Sequence, residues 1–575
     1  MTKMRLNILF LLLSFSFLIA SCGSDDNNTS DLKAVGGKIY GGEFSFMSPE
    51  VIESLLPISV SDIYSTRILS QLYEPLLRID IATMQIMPNL AESFKVSQDA
   101  KVFTLKIREG IMFHKDNCFG NDEDRILTAE DVKFSLDLAC SGLKKNEISY
   151  LLVDKIEGAQ AYNKNTSTEL SKEGVSGIKV LNPHTIQITL DEPFVGFDKI
   201  LTHNSLGIIS KKAYDKYGDD LKTHPVGTGA FILNEMSETQ VVLKRNPDYW
   251  RKDEFGNKLP FIDKVTMAYS KNKKSELMAF RERKIDIVLE IPVEEIQYVF
   301  GSLEDAQNGK NVKHKVETEN SLKMTYMAFA CESAEFKDER VRRAFNLAVN
   351  RELIIEEYLE GEGDAAEHGF VPPMDNYPYK KVKGSPFNPD LAKALLAEAG
   401  YKNGSGFPKL EVYVNTKEGS TIYKMMTGVI AHINQNLNVG LKLKLCTIQQ
   451  RNQAIVNGTA KLWRGGWIAD YPDAENFLCL FYGKNISDNA SSVINDFKFR
   501  NAEFDLNFEK ALKELNKEKR DALLVKCDQI TVDHTAVLPI LTDDFVVMVN
   551  VRVRDFKTNS IQALDFSSIY IKEQR

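Results

Sequence analysis

Apolar and polar residues alternate along some stretches of the chain and follow a helical period along others. Residues 102–107 (V-F-T-L-K-I) alternate and predict a β-strand. Val132 and Leu136 recur at helical spacing after Thr128, so we predict a helix that begins there and uses Asp131 in a capping box. The same reasoning predicts a strand, turn and strand over 178–190, helices over 338–359, 390–399, 504–516 and 519–532, and strands over 410–414 and 441–445. This interleaving predicts a mixed α/β protein with more than one sheet.

The N-terminal segment has a pattern of its own. Lys3 and Arg5 precede an apolar stretch that is too short for a comfortable membrane span, so residues 1–21 are interpreted as a secretory signal. The sequence L-I-A-S-C, which ends at Cys22, resembles the lipobox of bacterial lipoproteins, in which the cysteine is acylated and becomes the new N-terminus. The alternative is an ordinary cleavage site with a chance cysteine. Residues 22–35 are small, polar and acidic, which suits a flexible tether to a lipid anchor.

Composition and charge narrow the classes of partner. The chain has 575 residues, of which 43% are hydrophobic and 26% charged, an ordinary globular balance. This length predicts about three or four domains. The formal charge is −8, from 72 basic and 80 acidic residues, and there is no dense run of Lys and Arg. This balance argues against nucleic acid as the main partner.

The cysteine count fits an exported protein. Of the seven cysteines, Cys22 is assigned to the lipid, which leaves six in the folded body. An oxidising compartment permits disulfides between them. Cys118 and Cys140 are the nearest pair and flank a loop followed by a helix, so we expect the first disulfide there. The alternative is that all six are buried free thiols.

Sequence motifs of enzymes are absent. The chain contains no H-E-x-x-H, C-x-x-C, P-loop, G-x-G-x-x-G or G-x-S-x-G sequence, and its eight histidines are scattered. Spatial triads stay open, because their order along a chain is not fixed. We predict a binding protein rather than an enzyme, with no metal or cofactor.

Eight segments, in one order along the chain, carry a family resemblance. They are Q-L-Y-E-P-L-L (71–77), P-N-L-A-E-S (88–93), F-T-L-K-I-R-E-G-I-M-F-H (103–114), L-T-A-E-D-V-K-F-S (127–135), P-V-G-T-G-A-F (225–231), R-N-P-D-Y-W (245–250), D-E-R-V-R-R-A-F (338–345) and W-I-A-D-Y-P-D (467–473). Together they resemble the bacterial extracellular solute-binding proteins of family 5, the receptors of dipeptide and oligopeptide ABC transporters. The resemblance runs from about Gly36 to the C-terminal region.

The resemblance implies the type II periplasmic-binding-protein fold in its three-domain, peptide-binding form. Two lobes then close on the ligand by a hinge motion. Domain I is expected to be discontinuous, with parts at 36–72, 198–285 and 533–575. Domain II is expected over 73–197 and domain III over 286–532.

The implied function is capture of peptides and delivery to the permease of an ABC importer. Binding to peptides of varied sequence uses what they share, namely backbone amides, the α-ammonium and the α-carboxylate. A buried ammonium needs a carboxylate partner. Asp470 stands where the family places the aspartate that binds this ammonium. The alternative role for Asp470 is a loop carboxylate that caps the next helix, a role expected instead for Asp473.

Further site residues follow from the same resemblance. Arg464 stands where some oligopeptide binders carry an arginine that meets the ligand's C-terminal carboxylate, and the alternative is a solvated arginine at a strand end. Trp467 is expected to form a wall of the pocket, and Trp463 is a weaker candidate for the same role. In the opposite lobe, Ser59 and Ser61 are weak candidates in the loop that contributes ligand-binding backbone.

Several alternatives stay open from sequence. The aromatic residue that relatives carry falls near Ile448 or Gln449 here, which suggests a wider or more polar pocket. The same fold also carries metal chelates, haem, oligosaccharides or opines, and a peptide sensor without a transporter is another possibility. We expect a monomer at the periplasmic face of a membrane, although Asp25 and Asp26 resemble a signal for export to the cell surface.

Overall fold

Helices and strands interleave through the computed structural model, which describes residues 33–270, 272–289, 291, 314–486 and 494–572. The α-helices of these ranges are α1 (Ile63–Leu72), α2 (Ala129–Cys140), α3 (Ala159–Asn165), α4 (Phe197–Ile200), α5 (Lys211–Tyr217), α6 (Lys273–Arg281), α7 (Glu339–Leu347), α8 (Arg351–Leu359), α9 (Pro389–Glu398), α10 (Thr421–Leu437), α11 (Ile448–Val456), α12 (Glu475–Leu478), α13 (Ala502–Lys513) and α14 (Lys517–Asp533). The strands are β1 (Glu43–Ser48), β2 (Leu77–Ile79), β3 (Ile86–Pro88), β4 (Ala91–Val96), β5 (Val102–Ile107), β6 (Ile178–Asn182), β7 (Thr185–Thr189), β8 (Phe231–Met236), β9 (Gln240–Arg245), β10 (Lys264–Tyr269), β11 (Ile287–Leu289), β12 (His314–Asn320), β13 (Lys323–Phe329), β14 (Asp364–Ala365), β15 (Leu410–Asn415), β16 (Leu441–Cys446), β17 (Leu462–Ile468), β18 (Val537–Thr542), β19 (Asp544–Asn550), β20 (Val553–Arg554) and β21 (Tyr570–Ile571). The mixed α/β class predicted from the pattern is confirmed.

Local sequence signals set most of the predicted elements. Helix α2 begins after Thr128 with the predicted capping box, in which Asp131 accepts the Thr128 backbone N–H at 3.1 Å. The single helix predicted over 338–359 is wrong, because the structure has α7 and α8 with a break between them. Asn350 causes the second start, since its Oδ1 accepts the N–H of Leu353 at 3.0 Å.

The first lobe contains two four-stranded sheets around one large core. In one sheet the order is β1-β10-β9-β8, with β1 parallel to β10 and the other pairs antiparallel. The other sheet is antiparallel, in the order β4-β5-β7-β6. The core joins residues from distant parts of the chain, such as Phe44, Phe231 and Phe566. The lobe is therefore discontinuous in sequence.

The second lobe is built on a six-stranded sheet in the order β14-β18-β13-β17-β15-β16. Separate hydrophobic clusters cover its two faces. Strand β18 pairs with β13 along residues 537–541. This lobe therefore extends past residue 532, where the sequence placed the start of the last part of domain I.

Two adjacent chain segments join the lobes. Strands β12 and β19 pair with each other in a three-stranded sheet, and each continues within a few residues into a strand of the second lobe's sheet. The first segment crosses at 321–322 and the second at 543. Two short connections of this kind, which lie side by side and run antiparallel, permit a hinge motion between otherwise rigid bodies.

Gly227 and Gly229 lie where the backbone passes close to the end of α1. A Cβ on Gly227 would stand 2.0 Å from the carbonyl oxygen of Leu72, and one on Gly229 would stand 2.3 Å from that of Gln71. Neither glycine has a positive φ angle. The close approach of the backbone to the end of α1 therefore requires these two glycines.

The cysteines of the described ranges are all free thiols. Cys140 is buried at the end of α2 and Cys118 is half-buried in the preceding loop, so the expected disulfide between them is not formed in the structure. The Cys118 N–H donates to Asp116 at 2.8 Å, which holds this cysteine within its own loop.

The signal, Cys22 and the first part of the tether lie outside the described residues. Along the described ranges, no helix has the length and apolar character that a membrane crossing requires.

Candidate ligand-binding cleft

A polar cavity of about 420 Å³ opens between the two lobes. Most of its walls come from the first lobe, and Asp470 reaches it from the second lobe at the end of β17. One face of helix α1 forms part of the wall through residues spaced three or four apart: Ile63, Thr66, Arg67, Ser70 and Gln71. Asp62 starts this helix by accepting the N–H of Ser65 at 2.9 Å. The cavity size suits a small molecule or short peptide.

Asp470 is held by Asn476, which follows it on helix α12. Asn476 Oδ1 accepts the Asp470 N–H at 3.0 Å and the Trp467 indole N–H at 3.1 Å. Asn476 Nδ2 donates to Asp470 Oδ2 at 3.2 Å. Asn476 therefore fixes both the carboxylate and the neighbouring tryptophan, and the Asp470 side chain stays 29% exposed at the cavity.

His203, from the first lobe, contacts the same carboxylate. Its Nε2 lies 3.2 Å from Asp470 Oδ1, and its side chain is only 8% exposed. Its Nδ1 accepts the backbone N–H of Ser205 at 3.1 Å, so the ring proton is on Nε2 and is donated to Asp470. His203 is a site residue that the sequence reasoning missed, because it appeared there as one of eight scattered histidines.

Asp473 links the lobes a short distance away. Arg520 donates to it through two nitrogens at 2.9 and 3.0 Å, and Lys199 of the first lobe is hydrogen-bonded to Oδ2. Oδ1 also accepts the N–H of Glu475, the first residue of α12, while Ala474 occupies the N-cap position. Burial alone would raise the pKa of Asp473, but the charges of Arg520 and Lys199 outweigh it and hold the pKa well below its usual range.

Other contacts cross between the lobes at separate places. Gln449 Nε2 donates to Glu53 Oε1 at 3.0 Å, and the Val195 N–H donates to the Leu512 carbonyl at 3.4 Å. The structure is therefore in a closed arrangement. Gln449, near which relatives carry an aromatic residue, therefore forms a polar contact between the lobes.

Arg464 lies on β17 with its Nε atom buried and without a hydrogen-bond partner in the described parts of the chain. Burial, and then the nearby charge of Arg451, lower the pKa of its guanidinium below the ordinary value. Tyr64 of the first lobe and Tyr326 lie within electrostatic reach. The carboxylate of Asp543 also lies within electrostatic reach and opposes the shift. This environment differs from that of a solvated arginine, and a bound anion would give the buried Nε atom a partner.

The remaining predicted residues are two tryptophans of the second lobe and two serines of the first lobe. Trp463 is 1% exposed and packed in the core of the second lobe, so its expected place in the cleft wall is wrong. Trp467 is half-buried beside Asp470. Ser59 forms hydrogen bonds within its own turn, and exposed Ser61 donates to Glu147.

Half-buried Glu147 and buried Glu74 are two carboxyls that the sequence reasoning did not assign. Burial raises the pKa of Glu147 to about 7, although the hydrogen bond from Ser61 opposes the shift. Glu74 lines the cavity, and burial raises its pKa although Trp250 and Thr228 donate to it at 3.0 and 2.9 Å. The Tyr-Glu-Pro sequence (73–75) therefore has a structural use, since Glu74 anchors Trp250. No group of three or more metal-ligating side chains occurs within the described residues.

A cavity enclosed between two hinged lobes, with a carboxylate from one lobe and cations nearby, defines a binding protein that surrounds its ligand. The chain belongs to the bacterial extracellular solute-binding proteins of family 5, since the model described as "Bacterial extracellular solute-binding proteins, family 5 Middle" matches residues 85–489. The resemblance seen in the sequence is therefore confirmed.

Individual relatives agree with this family. The chain is 26% identical over 503 residues to the glutathione-binding protein GsiB of Shigella dysenteriae, covering 86% of this chain and 87% of the relative. It is 27% identical over 507 residues to the periplasmic oligopeptide-binding protein OppA of Salmonella typhimurium, with 85% of each chain covered. The periplasmic binding protein DppA of Helicobacter pylori, solved with the peptide STSA, superposes with a TM-score of 0.81 at 22% identity, covering 93% of this chain and 99% of that one. The type II periplasmic-binding-protein fold is thus confirmed.

Proposed function

We propose that this protein captures peptides in the cleft between its lobes and delivers them to the membrane permease of an ABC importer. The observation that carries the proposal is the Asp470 carboxylate, which His203 and Asn476 orient at the cavity. An ammonium group that enters this cavity loses water and needs a charged partner. Relatives that are named as oligopeptide-binding or were solved with a peptide support the same ligand class.

Arg464 supplies the second half of the recognition. A peptide with free ends carries one ammonium and one carboxylate. The half-buried Arg464, whose buried Nε atom has no hydrogen-bond partner among the described residues, fits the carboxylate. A sugar binder would instead offer aromatic platforms. The aromatic residues that line this cavity, Tyr73 and Tyr249, are buried and use their hydroxyls on Val226 and Glu74. The charges therefore favour a peptide over an oligosaccharide.

The test begins with the ligand that co-purifies from cells, identified by mass spectrometry, followed by isothermal titration with di- to pentapeptides. We expect Arg464→Gln to weaken binding of peptides with a free C-terminus by about tenfold or more, because a charge-assisted pair is lost. C-terminally amidated peptides should bind wild type and variant alike. If the variant binds the peptide with a free C-terminus as tightly as wild type does, this role is contradicted.

We also propose that acylation of Cys22 anchors the protein to a membrane, where it acts as a monomer facing the periplasm or the cell surface. The L-I-A-S-C sequence supports this anchor. We expect the wild-type protein to sediment with membranes and to incorporate labelled palmitate, and Cys22→Ser to do neither. A Cys22→Ser protein that still carries the label would show that the lipid is attached elsewhere.

A further inference from the structure

Helix α1 presents one polar face to the cavity, and the groups on that face differ in how they are used. Thr66 donates to the Asp62 carbonyl at 2.7 Å, and Gln71 bonds the backbone of Leu564 and Phe566 through its two amide atoms. Arg67 is different. It is only 4% exposed, and its Nε and Nη2 atoms are buried without a hydrogen-bond partner in the described residues.

The other buried or half-buried cations around the cavity have acidic partners. Lys38 lies 3.3 Å from Asp555, among other carboxylates, and Arg251 lies 3.6 Å from Asp565. Arg78 lies 3.9 Å from Asp80. Within the described ranges, Arg67 has no salt bridge to a carboxylate, and its guanidinium overlies the ring of Tyr64 at 5.7 Å. That contact supplies no negative charge.

Arg67 and Arg464 approach Tyr64 from different lobes. Arg67 is on α1 of the first lobe, Arg464 is on β17 of the second, and both carry buried nitrogens that lack a partner in the part of the chain described. A peptide with neutral side chains has a single carboxylate. Such a ligand would neutralise Asp470 and one arginine, and it would leave the other guanidinium buried and uncompensated, which is costly.

We propose that Arg67 binds a second carboxylate of the ligand, so that the preferred ligands are acidic peptides with a Glu or Asp side chain. This inference rests on the proposed function, in which Asp470 takes the ammonium and Arg464 the terminal carboxylate. A peptide with one acidic side chain has net charge −1, which matches the net +1 of Asp470, Arg464 and Arg67 together. A guanidinium binds such a carboxylate through two parallel hydrogen bonds.

The test compares alanine-based tri- to pentapeptides that carry Glu or Gln at each internal position, by isothermal titration. Wild type should prefer Glu by about tenfold or more at one position, because only Glu supplies an anion of the same shape. Arg67→Gln should reduce this preference to less than about twofold, and Arg464→Gln should weaken Glu and Gln peptides alike. Equal binding of Glu and Gln peptides to wild type would overturn the inference about Arg67 and leave the proposed function standing. If wild type binds no peptide, the proposed function itself fails.

Two controls separate ligand recognition from folding. Arg340→Gln makes the same change at an exposed arginine paired with Asp338, away from the cavity, and it should leave the Glu preference intact. Ligand-free Arg67→Gln should unfold at the wild-type temperature or above it, because it removes an uncompensated buried charge. A clear fall in unfolding temperature, or a Glu preference that persists in this variant, would show that Arg67 has another role. Arg67→Lys should keep part of the preference.

Discussion

Replacing Asp470 with asparagine should weaken the binding of peptides that have a free ammonium group by about a hundredfold. Removing one partner of a buried, hydrogen-bonded charge pair costs ~2–5 kcal/mol, and about 2.7 kcal/mol corresponds to this factor. Asparagine has nearly the same shape and keeps one oxygen that can accept a hydrogen bond from either His203 or Asn476, while its amide NH2 group replaces the other acceptor. The loss should therefore come from the missing charge at the cavity rather than from a change in the fold.

The ligand offers the sharpest control for this variant. Acetylation of the peptide N-terminus removes the ammonium, so wild type should bind the acetylated peptide weakly and Asp470→Asn should bind it no more weakly than that. Asp215→Asn makes the same change at an exposed aspartate that pairs with Lys211 on α5, and it should bind as wild type does. Binding of the free peptide to Asp470→Asn within about threefold of wild type would refute the ammonium role.

The elements that the sequence predicted best are those set by short-range signals. The capping box at Thr128 and the strand over 102–107 depend on residues a few positions apart, and both are present. The wrong prediction of a single helix over 338–359 also depends on a short-range signal. Hydrophobic periodicity continued through the segment, whereas Asn350 offered a local cap that starts a second helix.

The site was predictable only where a motif marked it. Asp470 stands in the motif over 467–473, and Arg464 lies three residues before that motif. His203 and Arg67 owe their positions to contacts across the fold, and nothing in the sequence around them distinguishes them. Position along a strand mattered as well. Trp463 and Trp467 share a face of β17 by the two-residue period, yet the first is packed in the core and only the second lies beside Asp470, through Asn476.

A different change, Asp473→Asn, should have the largest effect on stability. Asp473 is 3% exposed and neutralises Arg520 in its own lobe and Lys199 in the other. The amide would leave these two cations close together without the carboxylate that they share. Breaking a buried ion pair in this way costs ~3–5 kcal/mol in free energy of unfolding. Chemical denaturation at pH 7 measures this loss, and Asp215→Asn should leave the transition nearly unchanged.

The effect of Asp473 should also depend on pH in a defined direction. The pKa of this carboxyl is depressed in the folded protein, so its contribution to stability is complete above the unfolded-state pKa of about 3.9 and is lost as the pH falls towards the folded-state value. The difference in stability between wild type and Asp473→Asn should therefore be constant from pH 7 to about pH 5 and shrink below about pH 4. A difference that grows on acidification would contradict the assigned charge state.

A double-mutant cycle with Lys199→Gln isolates the part of this stability that joins the lobes. Lys199 and Arg520 both contact Asp473, but only Lys199 belongs to the first lobe, so the coupling between Asp473→Asn and Lys199→Gln reports on the contact across the cleft. We expect a coupling of about 1 kcal/mol or more, which is typical of directly contacting charged residues. Additive effects would mean that Asp473 stabilises only the second lobe, and that His203 with Asp470 and Gln449 with Glu53 hold the closed arrangement without it.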